Sequence, residues 1–190
     1  MRATKIITFA TGSLLLCAAP LVVHAQATPN AQNQAATMAQ RGQLSDSDYR
    51  FIEKAARGGL EEVELGQLAE QKGTDQSVKD FGKRMVTDHT KLNDQLKQLI
   101  GQKGAMVPTS MSHHEDSTMG HLENLSGVKF DQTYAKDMVK DHKKDIKEFQ
   151  NAAKNLQDPE LRNWAEHAVP ILQEHLNLAQ NMETTVKNEK

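Results

Sequence analysis

The sequence predicts an all-α protein, a four-helix bundle in the ferritin-like arrangement, with one long crossover between helices 2 and 3. Three observations predict it. From Leu44 onward, four segments repeat apolar residues at the helical period. None shows sustained strand alternation or a hairpin signal. The connections are unequal: helices 1 and 2, and helices 3 and 4, are joined by a few residues, whereas Gly101 to about Gly127 separates the middle pair. A helix of about 25 residues is about 37 Å long, and an extended segment covers that length at about 3.3 Å per residue. Two antiparallel hairpins joined by a single crossover follow. A plain up-and-down bundle with a loose central loop is the alternative.

Helix 1, from about Asp46 to Lys72, has Ser45 and Asp48 in capping-box positions and an inner face of Phe51, Ala55, Gly58/Gly59, Glu62, Leu65/Gly66 and Ala69. Glycine costs about 1 kcal/mol inside a helix, so Gly58, Gly59 and Gly66 imply a neighbouring backbone close by. Gly73-Thr74-Asp75 turns the chain back. Helix 2, about Gln76 to Ile100, presents Val78, Phe81/Gly82, Met85, His89, Leu92, Leu96 and Leu99, and Gly101 stops it. Helix 3, about Val128 to Leu156, presents Phe130, Tyr134, Met138, His142, Ile146, Phe149 and Ala153. Helix 4 starts with Asp158 as cap and Pro159 at its first position, and buries Leu161, Ala165, Ala168, Leu172, His175/Leu176, Ala179 and Met182. Pro170, in its middle, predicts a local kink or break.

Ahead of this domain, residues 44–188, the chain has the order of a secretory signal. Arg2 and Lys5 precede an apolar run from Ile6 to Val23 and the small-residue ending Val23-His24-Ala25. Thr8, Thr11, Ser13 and Pro20 interrupt the run, which barely reaches the roughly 20 apolar residues of a membrane anchor. Residues 1–25 are therefore expected to be a cleaved signal peptide, with export to the periplasm and no membrane span afterwards. Residues 26–43, rich in Gln, Asn and Ala, read as a flexible linker. Cys17 is the only cysteine and leaves with the signal, which excludes disulfides and thiol chemistry. Loss of Arg2 and Lys5 leaves 21 basic and 25 acidic residues, a net charge of −4, with no basic stripe for nucleic acid. The lysines of helix 3 alternate with acids, as on a salt-bridged exposed face.

The residues that carry chemistry lie on the apolar stripes. Helices 2 and 3 share an echo, MVTDHTK at Met85–Lys91 and MVKDHKK at Met138–Lys144. In both copies the histidine, His89 or His142, occupies the stripe, while Asp88 and Asp141 stand about 100° away. His175 holds the matching place in helix 4 and Glu62 in helix 1. Each helix thus turns one ligand-type side chain inward near its middle. Buried imidazoles and carboxylates are costly unless bonded, paired or coordinated. One reading is a single transition-metal ion, the one cofactor this set suits, on Glu62, His89, His142 and His175, with Asp88 and Asp141 orienting imidazoles. The other is a Glu/His network that fixes packing. The crossover adds Met106, Met111, His113, His114, Glu115, Asp116, Met119 and His121, soft and borderline ligands at irregular spacing. No glycine-rich phosphate loop or nucleophile elbow is present, so kinase and hydrolase readings have no support.

The strings AARGGLEEVELGQLA, MVTDH, FDQTYAKDMVKDH and DPELRNWAEHAVPILQEHL resemble the bacterial envelope family called domain of unknown function 4142, from about Leu44 to Val186. The resemblance implies a ferritin-like bundle, a secretory signal, descriptions such as outer-membrane protein, and by analogy a part in envelope stress. It carries over no activity and no catalytic residue. The wider ferritin-like di-iron pattern needs Glu-x-x-His on two helices, and Val86, Val139 and Leu172 stand where those glutamates would be. The sequence thus leaves an exported helical-bundle protein of unassigned activity, or a metal-binding redox or storage protein. A third option is an adaptor whose small-residue helix 1 docks a partner helix.

Overall fold

The computed structural model describes residues 42–110 and 113–189, and of residues 113–116 the backbone alone. The expected signal peptide and nearly all of the linker lie outside them. The described residues form five helices and no strand: α1 Asp46–Lys72, α2 Gln76–Gln102, α3 His113–Glu123, α4 Gly127–Asn155 and α5 Pro159–Val186. Sequence helices 1 to 4 are α1, α2, α4 and α5. The crossover, read from sequence as a plain loop, carries α3. Leu122 on α3 is fully buried, and Met119 packs against the core beside it. None of these helices is long and apolar enough to cross a membrane.

Local chemistry sets the helix ends. Ser45 Oγ accepts from Asp48 N–H at 3.1 Å, Asp75 from Ser77 N–H at 2.7 Å, and Asp158 from Glu160 and Leu161 N–H at 3.0 Å. Each bond satisfies an amide that a helix start leaves without a partner. α5 runs unbroken through Pro170, so of the expected kink or break there is no break. Ala165, Ala168 and Leu172 on either side of it are buried, so packing carries the turn in which proline has no N–H to give.

The glycines divide by cause. A Cβ on Gly66 would lie 2.7 Å from the Gly82 carbonyl oxygen, and one on Gly82 would lie 2.5 Å from that of Gly66. There α1 and α2 touch backbone to backbone. A Cβ on Gly59 would meet the Asn93 side chain. Gly58 departs from expectation, because nothing lies within 4 Å of its Cβ position. No close approach explains it; it faces open space.

Two buried aspartates join the hairpins. Asp131, early in α4, accepts from the amides of Thr74 (3.1 Å) and Asp75 (2.9 Å) and from the Thr74 hydroxyl, so it holds the α1/α2 turn. Asp48, early in α1, accepts from the amides of Gln157 (2.8 Å) and Asp158 (3.2 Å), so it holds the α4/α5 turn. The capping box expected of Asp48 is therefore half realised, since its side chain serves the other hairpin. The start of α4 lies beside the α1/α2 turn, while Lys103, just past α2, pairs with Asp158 and Glu160 at the opposite end. The crossover consequently runs the length of the molecule.

The interior has two apolar clusters. One gathers Leu65, Val78, Phe81, Met85, Phe130, Tyr134, Met138 and Met182 toward the α1/α2 turn. The other gathers Phe51, Ile52, Leu96, Ile100, Leu156 and Leu161 toward the α4/α5 turn. On every long helix one buried glutamate or histidine falls between the two. Glu62 follows Ala56 and precedes Leu65, and His89, His142 and His175 hold the corresponding gaps. The protein has a polar waist.

Candidate metal centre at the waist

Three of the four interior residues predicted from sequence come together. One ring nitrogen from each of His89, His142 and His175 lies within 4.8 Å of the others, and all three rings are buried. The ring centroids form a triangle with sides of 6.0, 5.3 and 5.4 Å. An ion with bonds of about 2.1 Å sets nitrogens about 3.4 Å apart in a tetrahedron, so each ring would move inward by less than about an ångström.

Hydrogen bonds fix which nitrogen two of the rings can offer. His142 Nδ1 lies 2.9 Å from the Met138 carbonyl oxygen, which only accepts, so Nδ1 carries the proton and Nε2 keeps its lone pair. His175 Nε2 lies 2.8 Å from Asp88 Oδ2. Burial acts to raise the Asp88 carboxyl, but hydrogen bonds from Arg84 and His175 outweigh it and hold it below its ordinary value. Asp88 is thus an anionic acceptor, and His175 offers Nδ1. The nitrogens left buried without a hydrogen bond are His142 Nε2, His175 Nδ1 and His89 Nε2. Each ring has one lone-pair candidate and no protein partner for it.

Protonation is disfavoured at all three rings. Desolvation pushes His142 from 6.5 down to about 4, with the neighbouring His175 adding to it. His89 is pushed well down by desolvation and by His142 and His175, and His175 is lowered by burial against the opposing pull of Asp88. Neutral imidazoles of this kind bind metals without first shedding a proton.

Glu62 is placed otherwise. It is 4% exposed, and its Oε1 lies 3.8 Å from His142 Nδ1, the nitrogen already given to Met138. It stands beside the triad, outside the three-nitrogen set. Its Oε2 has no hydrogen-bond partner, and desolvation reinforced by Asp145, Asp141 and Glu61 pushes its carboxyl well up. The two aspartates of the echo also part ways. Asp88 reaches α5 and orients His175, while Asp141 lines a cleft of about 410 Å³ among α1, α3 and α4, together with Glu61, Glu62, Asp137 and Asp145.

Arg84 and the Tyr134 hydroxyl went unremarked in the sequence. Arg84 pairs with Asp88 and, at 3.2 Å, with Glu174, and so supports the carboxylate behind His175. The i,i+4 spacing of Arg84 and Asp88 was the available signal. The Tyr134 hydroxyl is buried without a partner. In the crossover, Met106 is exposed and His121 lines the acidic cleft. Met111 and the side chains of His113, His114, Glu115 and Asp116 lie outside the described residues.

The model of the family described as a domain of unknown function, DUF4142, matches residues 33–182. A search of curated proteins found no match. Among solved structures, a DUF305 fragment from Deinococcus radiodurans is similar in fold, with a TM-score of 0.62 at 12% identity, over 76% of this chain and 97% of that one. A likeness at that identity concerns the fold alone. With most of its length matched by the family model, the chain belongs to the DUF4142 family.

Proposed function

We propose that this protein is an exported, ferritin-like four-helix bundle that holds one divalent transition-metal ion on His89 Nε2, His142 Nε2 and His175 Nδ1. The observation that carries the reading is the meeting of three buried imidazoles from three different helices, each with a ring nitrogen that has no protein partner. A network that served packing alone would bond these atoms to one another, because each buried polar atom left unbonded costs about 1–3 kcal/mol. Nitrogen donors without thiolate suit zinc, copper, nickel or iron. Once bound, such an ion would supply a Lewis acid or a one-electron couple according to its identity.

The chain's own part is positioning and exclusion. Asp88, held by Arg84, fixes the tautomer and plane of His175, and the Met138 carbonyl does the same for His142. Phe81 stands edge-on to His142, and the two apolar clusters keep water from the waist on both sides. A single ion is favoured over a pair because Glu62 is the one carboxylate among the four inward residues, whereas di-iron bundles use four. The reading is therefore of metal holding, with no ferroxidase chemistry.

The test is uptake by the purified full chain of Zn²⁺, Co²⁺ and Cu²⁺ in turn, read by elemental analysis and thermal melts. One equivalent should bind, with a rise in melting temperature, and alanine at His89, His142 or His175 should abolish both. Uptake below about a tenth of an equivalent of every ion, with no thermal shift, would leave the waist a packing layer.

A further inference from the structure

We propose that the cleft at the α1/α4 seam, walled on its third side by Ser117, Thr118 and His121 of α3, is the inlet through which a hydrated divalent cation reaches the three histidines, with the Glu62 carboxyl as the station between cleft and centre. This rests on the metal-holding reading and adds a route to it. The seam is where the two hairpins separate. Two cavities lie side by side along it and share Lys54, Gly58 and Asp145 as walls. The outer one, about 410 Å³, is large enough for a cation with its water shell. The inner one, about 30 Å³, is of the order of one water molecule and is lined by His89 and Trp164.

The charge in the outer cleft favours a cation. Glu61, Asp137, Asp141 and Asp145 line it beside the buried Glu62, against Lys54, Lys140, Lys144 and His121. Lys54 is itself paired with Glu148. A cleft of one dominant sign with low-dielectric walls concentrates the opposite charge. Glu62 links this cleft to the centre. It is a cleft wall, it is nine-tenths buried, its Oε2 is unpartnered, and its other oxygen is 3.8 Å from the His142 ring. A carboxyl with a spare oxygen at that place can give up its proton to the cleft water as a cation arrives, and hold the ion for the free nitrogens that lie beyond the His142 Nδ1 edge.

Gly58 is the second, independent sign. A glycine in the middle of a helix costs about 1 kcal/mol relative to alanine, and here no neighbour requires it. What its missing side chain leaves is the space that both cavities share. On the opposite side, His175 is covered by Asp88 with Arg84.

The chain carries its own reporter, since Trp164 is its only tryptophan and lines the inner cavity with His89. Rapid mixing of the full chain with Co²⁺, a paramagnetic ion that quenches indole fluorescence, would time the ion's arrival. Gly58→Leu should fill the seam and slow quenching by about tenfold, with the bound fraction at equilibrium unchanged. Asp137→Asn with Asp141→Asn should slow arrival and weaken its dependence on salt, and this pair tests the route without relying on Gly58→Leu to fold. If wild-type protein takes up cobalt and both variants match its rate and salt dependence, the inlet lies elsewhere while the centre stands. If wild-type protein takes up no metal in the equilibrium assay, the centre itself fails, and the inlet with it.

Discussion

Replacing Asp145 with asparagine should stabilise the protein at neutral pH and have no effect in acid. Asp145 sits partly buried at the α1/α4 seam, where desolvation pushes its carboxyl from 3.8 up to about 6. Of the charges around it, Lys144 and Lys54 pull it down, and Asp141 and Glu148 push it up. At about 1.4 kcal/mol per pKa unit the shift corresponds to about 3 kcal/mol. Solvent screening at a partly exposed site reduces that to about 1–2 kcal/mol. Between pH 3.8 and about 6 the folded protein binds the proton more readily than the unfolded chain, so this group adds stability as pH falls through that window. Above the window the ionised carboxylate is a standing cost, which asparagine removes. The histidines act with the opposite sign, so the informative quantity is the difference between variant and wild type, taken from urea melts between about pH 4 and pH 8. The variant should lead by about 1–2 kcal/mol above pH 7 and by nothing near pH 4, a shift of a few degrees in melting temperature for a chain of this size. A difference that is flat with pH, or that grows in acid, would refute the reasoning that burial strains this carboxylate.

Asp131→Ala should destabilise the fold by about 2–4 kcal/mol in urea melts, because it strips charge-assisted bonds from the α1/α2 turn. Asp48→Ala should act similarly at the other end. Gly66→Ala should cost more than about 2 kcal/mol, since its methyl meets the Gly82 carbonyl, whereas Gly58→Ala should gain about 0.5–1 kcal/mol; thermal melts of the pair check both signs. In metal-free protein the His142 ring should titrate near 4 by NMR. Its neutral form then contributes fully above pH 6.5, and that contribution is lost as pH falls toward 4. Asp88→Asn should weaken metal affinity by about 10–100-fold in a competition titration while leaving the stoichiometry at one.

The parts of this fold that could be read from sequence were those written in short-range periodicity. The stripes of α1, α2, α4 and α5, the Asp158-Pro159 start and the inward histidines of the MVxDHxK echo all depend on residues three or four apart. What escaped was chemistry that depends on distant partners. Asp48 looked like a local cap, yet its carboxylate bonds amides more than a hundred residues away. Nothing in the neighbourhood of Asp131 distinguished it from a surface acid. Asp88 and Asp141 occupy the same place in the echo, and only the packing of α5 against α2 gives the first an imidazole to hold. Glu62 keeps the helical phase of a ligand, but its side chain ends on the wrong side of the His142 ring for the free nitrogen. Gly58 and Gly66 look alike in sequence, because a helical pattern does not say whether a missing side chain makes room for a neighbour or for nothing.

The paired aspartate latches bear on how the chain reaches its native state. Because Asp131 bonds the first turn and Asp48 bonds the second, each antiparallel pair completes amide bonding that the other's turn leaves open. Each waits for the other to dock, which ties the two halves into one cooperative event despite the weak seam between them. The peptide link across residues 103–126 is therefore not the sole tie between them. A break made there should leave two pieces that find each other and restore the same interior, and at high concentration the halves of two molecules could trade places by the same bonds.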